Sequence, residues 1–268
     1  MKSGIYRASL NGLLLTATVL TLSLTSIAQA AESDEELAKK LQNPLANLII
    51  VPFQSDWNFR IGANEDKENY LLNVQPVTPF SLNEQYNLIL RTIVPIEANE
   101  YPSSVGGLGD IQQSFFFSPK EPINGWIVGA GPALLYPTAT DETLGGRKWA
   151  AGPTFVTLRQ QDGWTLGFLT NHLWSFAGSS GRSEVNATFL QPFVSFTTKT
   201  ATSFAINTES TYDWKNSQWT VPINATISQL VKIGLPLQLQ LGYRYYAEAP
   251  TNGPEWGLRF TVTFVFLK

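Results

Sequence analysis

A chain of 268 residues with 15% charged side chains, 12% aromatic ones and a formal net charge of −3 is poor in charge for an ordinary soluble domain, where about a quarter of residues are charged. Cysteine is absent, which excludes disulfides and thiolate chemistry, and the lack of a basic excess argues against nucleic-acid binding. Near-neutral mean hydropathy excludes a bundle of apolar helices and suits strands that are apolar on one side and polar on the other.

In chain order, residues 1–30 read as a secretory signal peptide. Lys2 and Arg7 form a charged start, Leu13 to Leu24 an apolar stretch, and Ala28-Gln29-Ala30 an A-x-A cleavage site. A membrane anchor would need a longer apolar run with a stop-transfer flank. Cleavage after Ala30 removes two bases and no acid, so the exported remainder is more acidic. No later run of about 18 apolar residues exists, so no transmembrane helix is expected. Residues 31–44 read as a periplasmic helical segment: Ser33 caps, Asp34 to Glu36 suit the first turn, Lys39 and Lys40 the last, and Asn43-Pro44 stops it. A helix over 34–42 is too short to stand alone and is expected to pack on, or plug, something.

Over 45–268 the helical period gives way to alternating segments separated by Gly, Asn, Asp, Ser and Pro. Twelve are expected: 46–61, 69–80, 86–97, 108–118, 124–137, 148–160, 163–177, 183–199, 201–214, 217–231, 235–248 and 255–267. Short connections ("SLNEQ", "PKEPIN", "QDG", "KT", "IGL") alternate with a set that is mostly longer and more polar ("GANEDKEN", "ANEYPSSVGG", "TATDETLGGR", "GSSGR", "KNS", "PTNG"). That is the layout of an all-β, up-and-down outer-membrane β-barrel with both termini on the periplasmic side. Such a barrel leaves no open sheet edge.

The last strand puts Leu258, Phe260, Val262, Phe264 and Phe266 on one face, with Arg259, Thr261 and Thr263 on the other. On the eleventh, Leu235, Leu237, Leu239, Leu241, Tyr243 and Tyr245 oppose Gln238, Gln240, Arg244 and Tyr246. The polar faces are rich in Asn, Gln, Thr and Ser rather than Lys or Glu, which suits a lumen wall better than a face in bulk water. Tryptophans gather at strand ends: Trp57, Trp149, Trp174, Trp214, Trp219 and Trp256 toward the long loops, Trp126 and Trp164 toward the short turns. This is the placement of interfacial girdles. Prolines 76, 95, 132, 153, 192 and 222 sit badly within paired strands and are expected at bulges or strand ends. The repeated "AGP" at 130–132 and 151–153 is expected to mark a paired bulge. Gly129, Gly131, Gly152 and Gly167 make one inward wall small, either for curvature or to leave room for a solute or the helix.

The stretches "GLGDIQQSFFFSPK", "GAGPALLYPTATDETLGGRKWAAGPTFV", "NHLWSFAG", "FLQPFVSFTTKTATSFAINTESTYDW" and "GLRFTVTFVF" resemble bacterial outer-membrane proteins labelled as transporters. They are similar to the family named for the MetA pathway of phenol degradation. The resemblance runs from about Leu45 to the end and implies transport of small, aromatic or hydrophobic compounds, with no catalytic residues to carry over. Many outer-membrane barrels end on Phe, whereas this chain adds Leu267 and Lys268.

No catalytic residue, cofactor or metal site is expected. One His, no Cys and no calcium-type acidic loop leave no ligand cluster. "GGLGD" at 106–110 lacks the Lys and helix of a phosphate loop, and the "NAT" sequons at Asn186 and Asn224 fall within strands. His172 has Trp174 and Thr170 two residues away, so a Ser-His pair on one face of its strand is poorly supported. It reads as an interfacial His. The solute path is expected along Asn73, Gln75, Arg91, Asn207, Glu209, Asn224, Gln238, Gln240, Arg244 and Arg259. Of these, Glu209, Arg244 and Arg259 lie at similar heights, either as a selective constriction or as an ion-pair network filling a narrow barrel. With no plug domain ahead of the barrel, passage is expected to be passive. The alternatives are a closed-lumen structural or binding barrel and, less favoured, a lipid-acting enzyme. Expected partners are outer-membrane lipid and lipopolysaccharide, the barrel-assembly machinery and a small-molecule solute, with no nucleic acid. Oligomeric state is not set by the sequence.

Overall fold

A computed structural model describes residues 34–266. The expected signal peptide, the Ser33 cap and the Leu267-Lys268 end lie outside the described residues. A helix, α1, runs over 34–41. Twelve strands follow: β1 (Ile49–Ile61), β2 (Lys67–Val74 and Val77–Ser81), β3 (Tyr86–Asn99), β4 (Val105–Leu108 and Ile111–Pro119), β5 (Ile127–Tyr136), β6 (Lys148–Gln161), β7 (Trp164–Gly178), β8 (Asn186–Thr197), β9 (Thr202–Thr208 and Ser210–Asp213), β10 (Gln218–Ile233), β11 (Leu235–Glu248) and β12 (Trp256–Phe266). Each pairs antiparallel with the next, and β12 pairs with β1 from Ile49↔Phe266 to Phe59↔Trp256. The sheet is therefore closed, as its alternating sequence implies. No helix among the described residues is long and apolar enough to cross a membrane.

Turn chemistry sets the short end. Asn124-Gly125 and Asp162-Gly163 take positive φ at both positions (52° and 81°, 50° and 81°). That geometry matches the strand twist of a tight hairpin and favours Asn-Gly and Asp-Gly.

The wall separates polar from apolar residues in an order opposite to that of a soluble protein. On β11, Leu241 is 61% exposed, whereas Arg244 is only 6% exposed. Successive residues point to opposite faces, so the outward face is Leu, Ile, Phe and aromatic, while the inward face carries the polar groups together with an apolar patch of Val77, Ile89, Phe116, Val156, Leu158 and Leu169 near the short-turn end. Seven of the predicted girdle residues, Trp57, Trp126, Trp149, Trp164, Trp174, Trp214 and Trp219, are exposed. Trp256 is half-buried, stacked on Phe59 with ring centroids 4.5 Å apart.

The prolines correct one expectation. Pro132 and Pro153 face each other directly, but neither ladder beside them changes register. Ser114↔Ala133 and Phe117↔Ala130 keep one spacing, as do Ala151↔Trp174 and Thr154↔Asn171. "AGP" therefore marks a gap in the ladder, since Pro has no N–H to donate, and not a bulge. Beside it, a Cβ on Gly131 or Gly152 would collide with the carbonyl oxygen of Phe115 or His172, so these two glycines permit close approach of neighbouring backbones. Among the prolines a true register shift occurs at Pro222, between Val221 and Pro222. Gly129 and Gly167 serve differently. Their missing side chains leave room for Leu45 and for the Phe193 ring.

The segment from α1 to β1 lies inside the short-turn end. Leu37 and Ala38 pack with Ala201, Leu230 and Val265 on one side of the barrel. Leu45 packs with Val77, Ile89, Phe116, Val156, Leu158 and Leu169 on the other. The Gln160 amide donates to the Lys39 carbonyl at 2.8 Å, and Lys232 pairs with Asp34. The segment thus crosses the mouth and joins opposite walls.

Candidate functional site: the barrel interior

Midway along the barrel, an ion cluster lies against the wall formed by β9 to β12 and β1. Arg259 donates to Asp56 from Nε (2.6 Å) and Nη2 (2.9 Å), and to Glu209 from Nη1 (2.9 Å) and Nη2 (2.8 Å). Arg244 pairs with Asp56 and lies 3.6 Å from Glu209. Asp56 is 1% exposed, Arg259 4% and Arg244 6%. Two carboxylates and two guanidiniums thus neutralise each other where unpaired charge would be very costly. Glu209 occupies the break in β9. The neighbouring ladders are open there because Pro192 and Pro222 cannot donate.

Hydrogen bonds extend the cluster along the wall. Gln54 donates to Asp56 (3.1 Å), Gln75 to Gln54 (3.3 Å) and Arg91 Nη2 to Gln75 (2.8 Å). On the other side Arg244 donates to the Tyr246 hydroxyl (3.2 Å), Tyr246 to Asn58 (2.9 Å) and Asn58 to Asn69 (2.8 Å).

Of the residues predicted from sequence, the structure joins Glu209, Arg244 and Arg259 in one cluster, and links Gln75 and Arg91 to it through Gln54. Asn224 is fully buried and donates to Asn207 at 2.8 Å. Gln240 meets Thr226 and Thr261. Gln238 is 7% exposed, and its Nε2 is buried without a hydrogen-bond partner. Asn73 faces Gln54 and Pro95 across its two ladders. Sequence reasoning missed Asp56, the hub of the cluster, together with Gln54, Asn58 and Asn69. The signal was available, because Gln54, Asp56 and Asn58 alternate with Phe53, Ser55, Trp57 and Phe59 on the first strand.

The long-loop end is narrowed by residues 137–147. Asp110 Oδ1 accepts the Ala139 N–H (3.0 Å) and its Oδ2 the Gly146 N–H (2.7 Å). Arg182 donates to the Gly145 carbonyl at 2.8 Å. Leu144 is buried, close to the inward Gly107. Within the loop, the Thr143 N–H and hydroxyl bond Asp141 Oδ1 (2.9 and 2.7 Å) and hold its carboxyl below the usual carboxylate range. At "GGLGD" the strand begins, over Val105–Leu108 and again from Ile111, and Asp110 between the two pieces is the latch of the next loop. Asp110→Ala should release both ends of 137–147. Hydrogen bonds to a charged acceptor contribute about 1.5–3 kcal/mol each, so trypsin cleavage after Arg147 should quicken at least about tenfold. An unchanged rate would mean that Arg182 and the Thr138 and Thr140 hydrogen bonds to residues 108–111 hold the loop without Asp110.

On the outer wall, His172 Nδ1 lies 2.6 Å from the Thr188 hydroxyl and Nε2 lies 2.9 Å from Asn186 Oδ1, with the Trp174 ring 3.9 Å away. Trp214 Nε1 donates to the same Thr188 oxygen at 2.8 Å. These partners come from the next strand, which a search along one strand does not reach. Among the described residues no group of three or more potential metal ligands is found.

No family model matches the chain, and no curated protein is similar to it. Solved structures do share its fold. The COG4313 outer membrane channel from Pseudomonas putida F1 superimposes with a TM-score of 0.63 at 16% identity, over 82% of this chain and 94% of that one. The NanC porin gives a TM-score of 0.51 at 10% identity, over 82% of this chain and 100% of that one. Outer membrane phospholipase A from Escherichia coli gives 0.44 at 10% identity, over 81% and 92%, too remote to bear on activity. The architecture is thus that of outer-membrane channel and porin barrels.

Proposed function

We propose that the chain is a channel of a Gram-negative outer membrane for passive passage of small, aromatic or hydrophobic, molecules. The observation that carries this reading is the inverted polarity: the wall exposes Leu, Ile and Trp and buries Asp56, Arg244 and Arg259, with Glu209 half-buried beside them. An apolar band flanked by aromatics suits lipid, and a polar interior suits a water-filled path. The short-turn end, with α1, faces the periplasm. The likeness of folds is compatible with this, and the family resemblance supplies the solute class. The cluster at mid-barrel selects solutes, and residues 34–48 and 137–147 restrict the two mouths.

A closed-lumen binding barrel is the second reading, favoured by the apolar packing of Leu45 against Val77, Ile89 and Phe116. Planar-bilayer recordings of the refolded protein decide between them. The channel reading expects steady or flickering conductance whose selectivity moves toward anions in Glu209→Ala. Silence from a correctly folded barrel supports the closed one.

Against a lipid-acting enzyme, the hydroxyl beside His172 belongs to a threonine whose oxygen is already bonded by Trp214, so the cluster reads as a satisfied polar node in the girdle. Hydrolysis of a phospholipid that His172→Ala abolishes would reverse that reading.

A further inference from the structure

A cavity of about 210 Å³ lies between the end of the N-terminal segment and the ion cluster. One part of its lining is apolar, with Ile50, Val77, Leu169 and Phe193. The other carries Arg91, Gln75, Asn207, Gln240 and Ser195.

Two of these groups are unmatched. Asp56 and Glu209 are already balanced by Arg244 and Arg259. Arg91 is left with a neutral partner, the Gln75 amide oxygen at 2.8 Å, and has no ion pair within 4.0 Å among the described residues. Its attraction to Glu209 acts over a longer distance. The Ser195 hydroxyl is buried and has no hydrogen-bond partner. Arg91 is half-buried and its hydrogen-bond partner is a neutral amide, so an anion placed beside it would be stabilised. A carboxylate suits the planar fork of an arginine, which can bond both its oxygens.

We propose that this cavity is a binding site for a small organic carboxylate with a compact apolar body. Arg91 pairs with the carboxylate, Ser195 and the Gln75, Asn207 and Gln240 amides complete its hydrogen bonds, and the body packs on Val77, Leu169 and Phe193. This deepens the channel reading by naming a solute class and rests on that reading for its physiological meaning. The binding itself does not require conduction.

The test is titration calorimetry of the refolded full chain in detergent with benzoate, with benzyl alcohol and acetate as comparators. Benzoate should bind saturably, and the uncharged alcohol and the bodiless acetate should each bind at least tenfold more weakly. Arg91→Gln should weaken benzoate at least tenfold, and Arg91→Lys by less. If Arg91→Gln fails to fold, Ser195→Leu, which fills the cavity and leaves the cation in place, should abolish binding. Binding of alcohol and benzoate alike, inorganic phosphate outcompeting benzoate, or unchanged benzoate binding in folded Arg91→Gln would overturn the site. Benzoate binding without conductance would keep the site and remove the channel. Conductance without benzoate binding would do the reverse.

Discussion

Asp56→Ala is expected to destabilise the barrel by about 3–5 kcal/mol, the usual cost of removing one partner from a buried ion pair. The magnitude follows from what the substitution leaves behind. Arg259 loses two hydrogen bonds from one carboxylate and Arg244 loses its closer acid. Both guanidiniums remain almost fully buried, and Glu209 alone cannot balance them. Arg244 Nε is already without a hydrogen-bond partner, so no spare capacity exists on that side. Urea unfolding in lipid vesicles, followed by tryptophan fluorescence, measures the loss. The double variant Asp56→Ala/Arg244→Ala should recover part of it, because one stranded cation is removed. A loss below about 1 kcal/mol would resemble an exposed pair and would mean that water reaches the cluster freely.

Excision of residues 34–44 is expected to change conductance more than any single lumen substitution. The segment is anchored by Leu37 and Ala38 on one wall, and by Leu45 just beyond the cut on the other. Each buried leucine contributes roughly 1.5–3 kcal/mol. Ordering the segment costs about 1–2 kcal/mol per residue in backbone entropy, offset in part by its own helical hydrogen bonds. The net hold is therefore small, and the intact protein should show brief openings from a mostly closed state. Removing the segment should give long-lived openings, because nothing anchored to both walls then remains to reclose that mouth. Single-channel dwell times report this directly. Identical dwell times in both proteins would place the restriction at the ion cluster or the 137–147 loop instead.

The wall was legible in the sequence because a closed barrel needs only a period of two and turn residues at the ends, and both are local signals. The strand pattern follows from them, and the short helix from the acids of its first turn, the lysines of its last and the Asn43-Pro44 stop. The side-chain contacts between strands were less legible. Glu209, Arg244 and Arg259 could be matched by height along their strands, but Asp56 was passed over in a first strand whose aromatic positions dominate the eye. Thr188 beside His172 was missed for a related reason, because strand neighbours come from pairing and pairing is not local. The opposing prolines of the two "AGP" segments suggested a bulge, whereas the sheet holds its register and gives up only the missing donors.

The separation of the cluster residues along the chain bears on assembly. Asp56 and Arg259 are 203 positions apart, yet they stand opposite each other at the junction of the first and last strands. Their pairing cannot form until the sheet has curled round and met itself. A slip of one residue at that junction would turn one of them outward, and a slip of two would pull the charges apart. The cluster therefore acts as a proofreading mark for closure, stabilising one register and penalising its neighbours. Variants that weaken it should accumulate as partly closed or misaligned barrels during folding, even where the finished barrel tolerates the change.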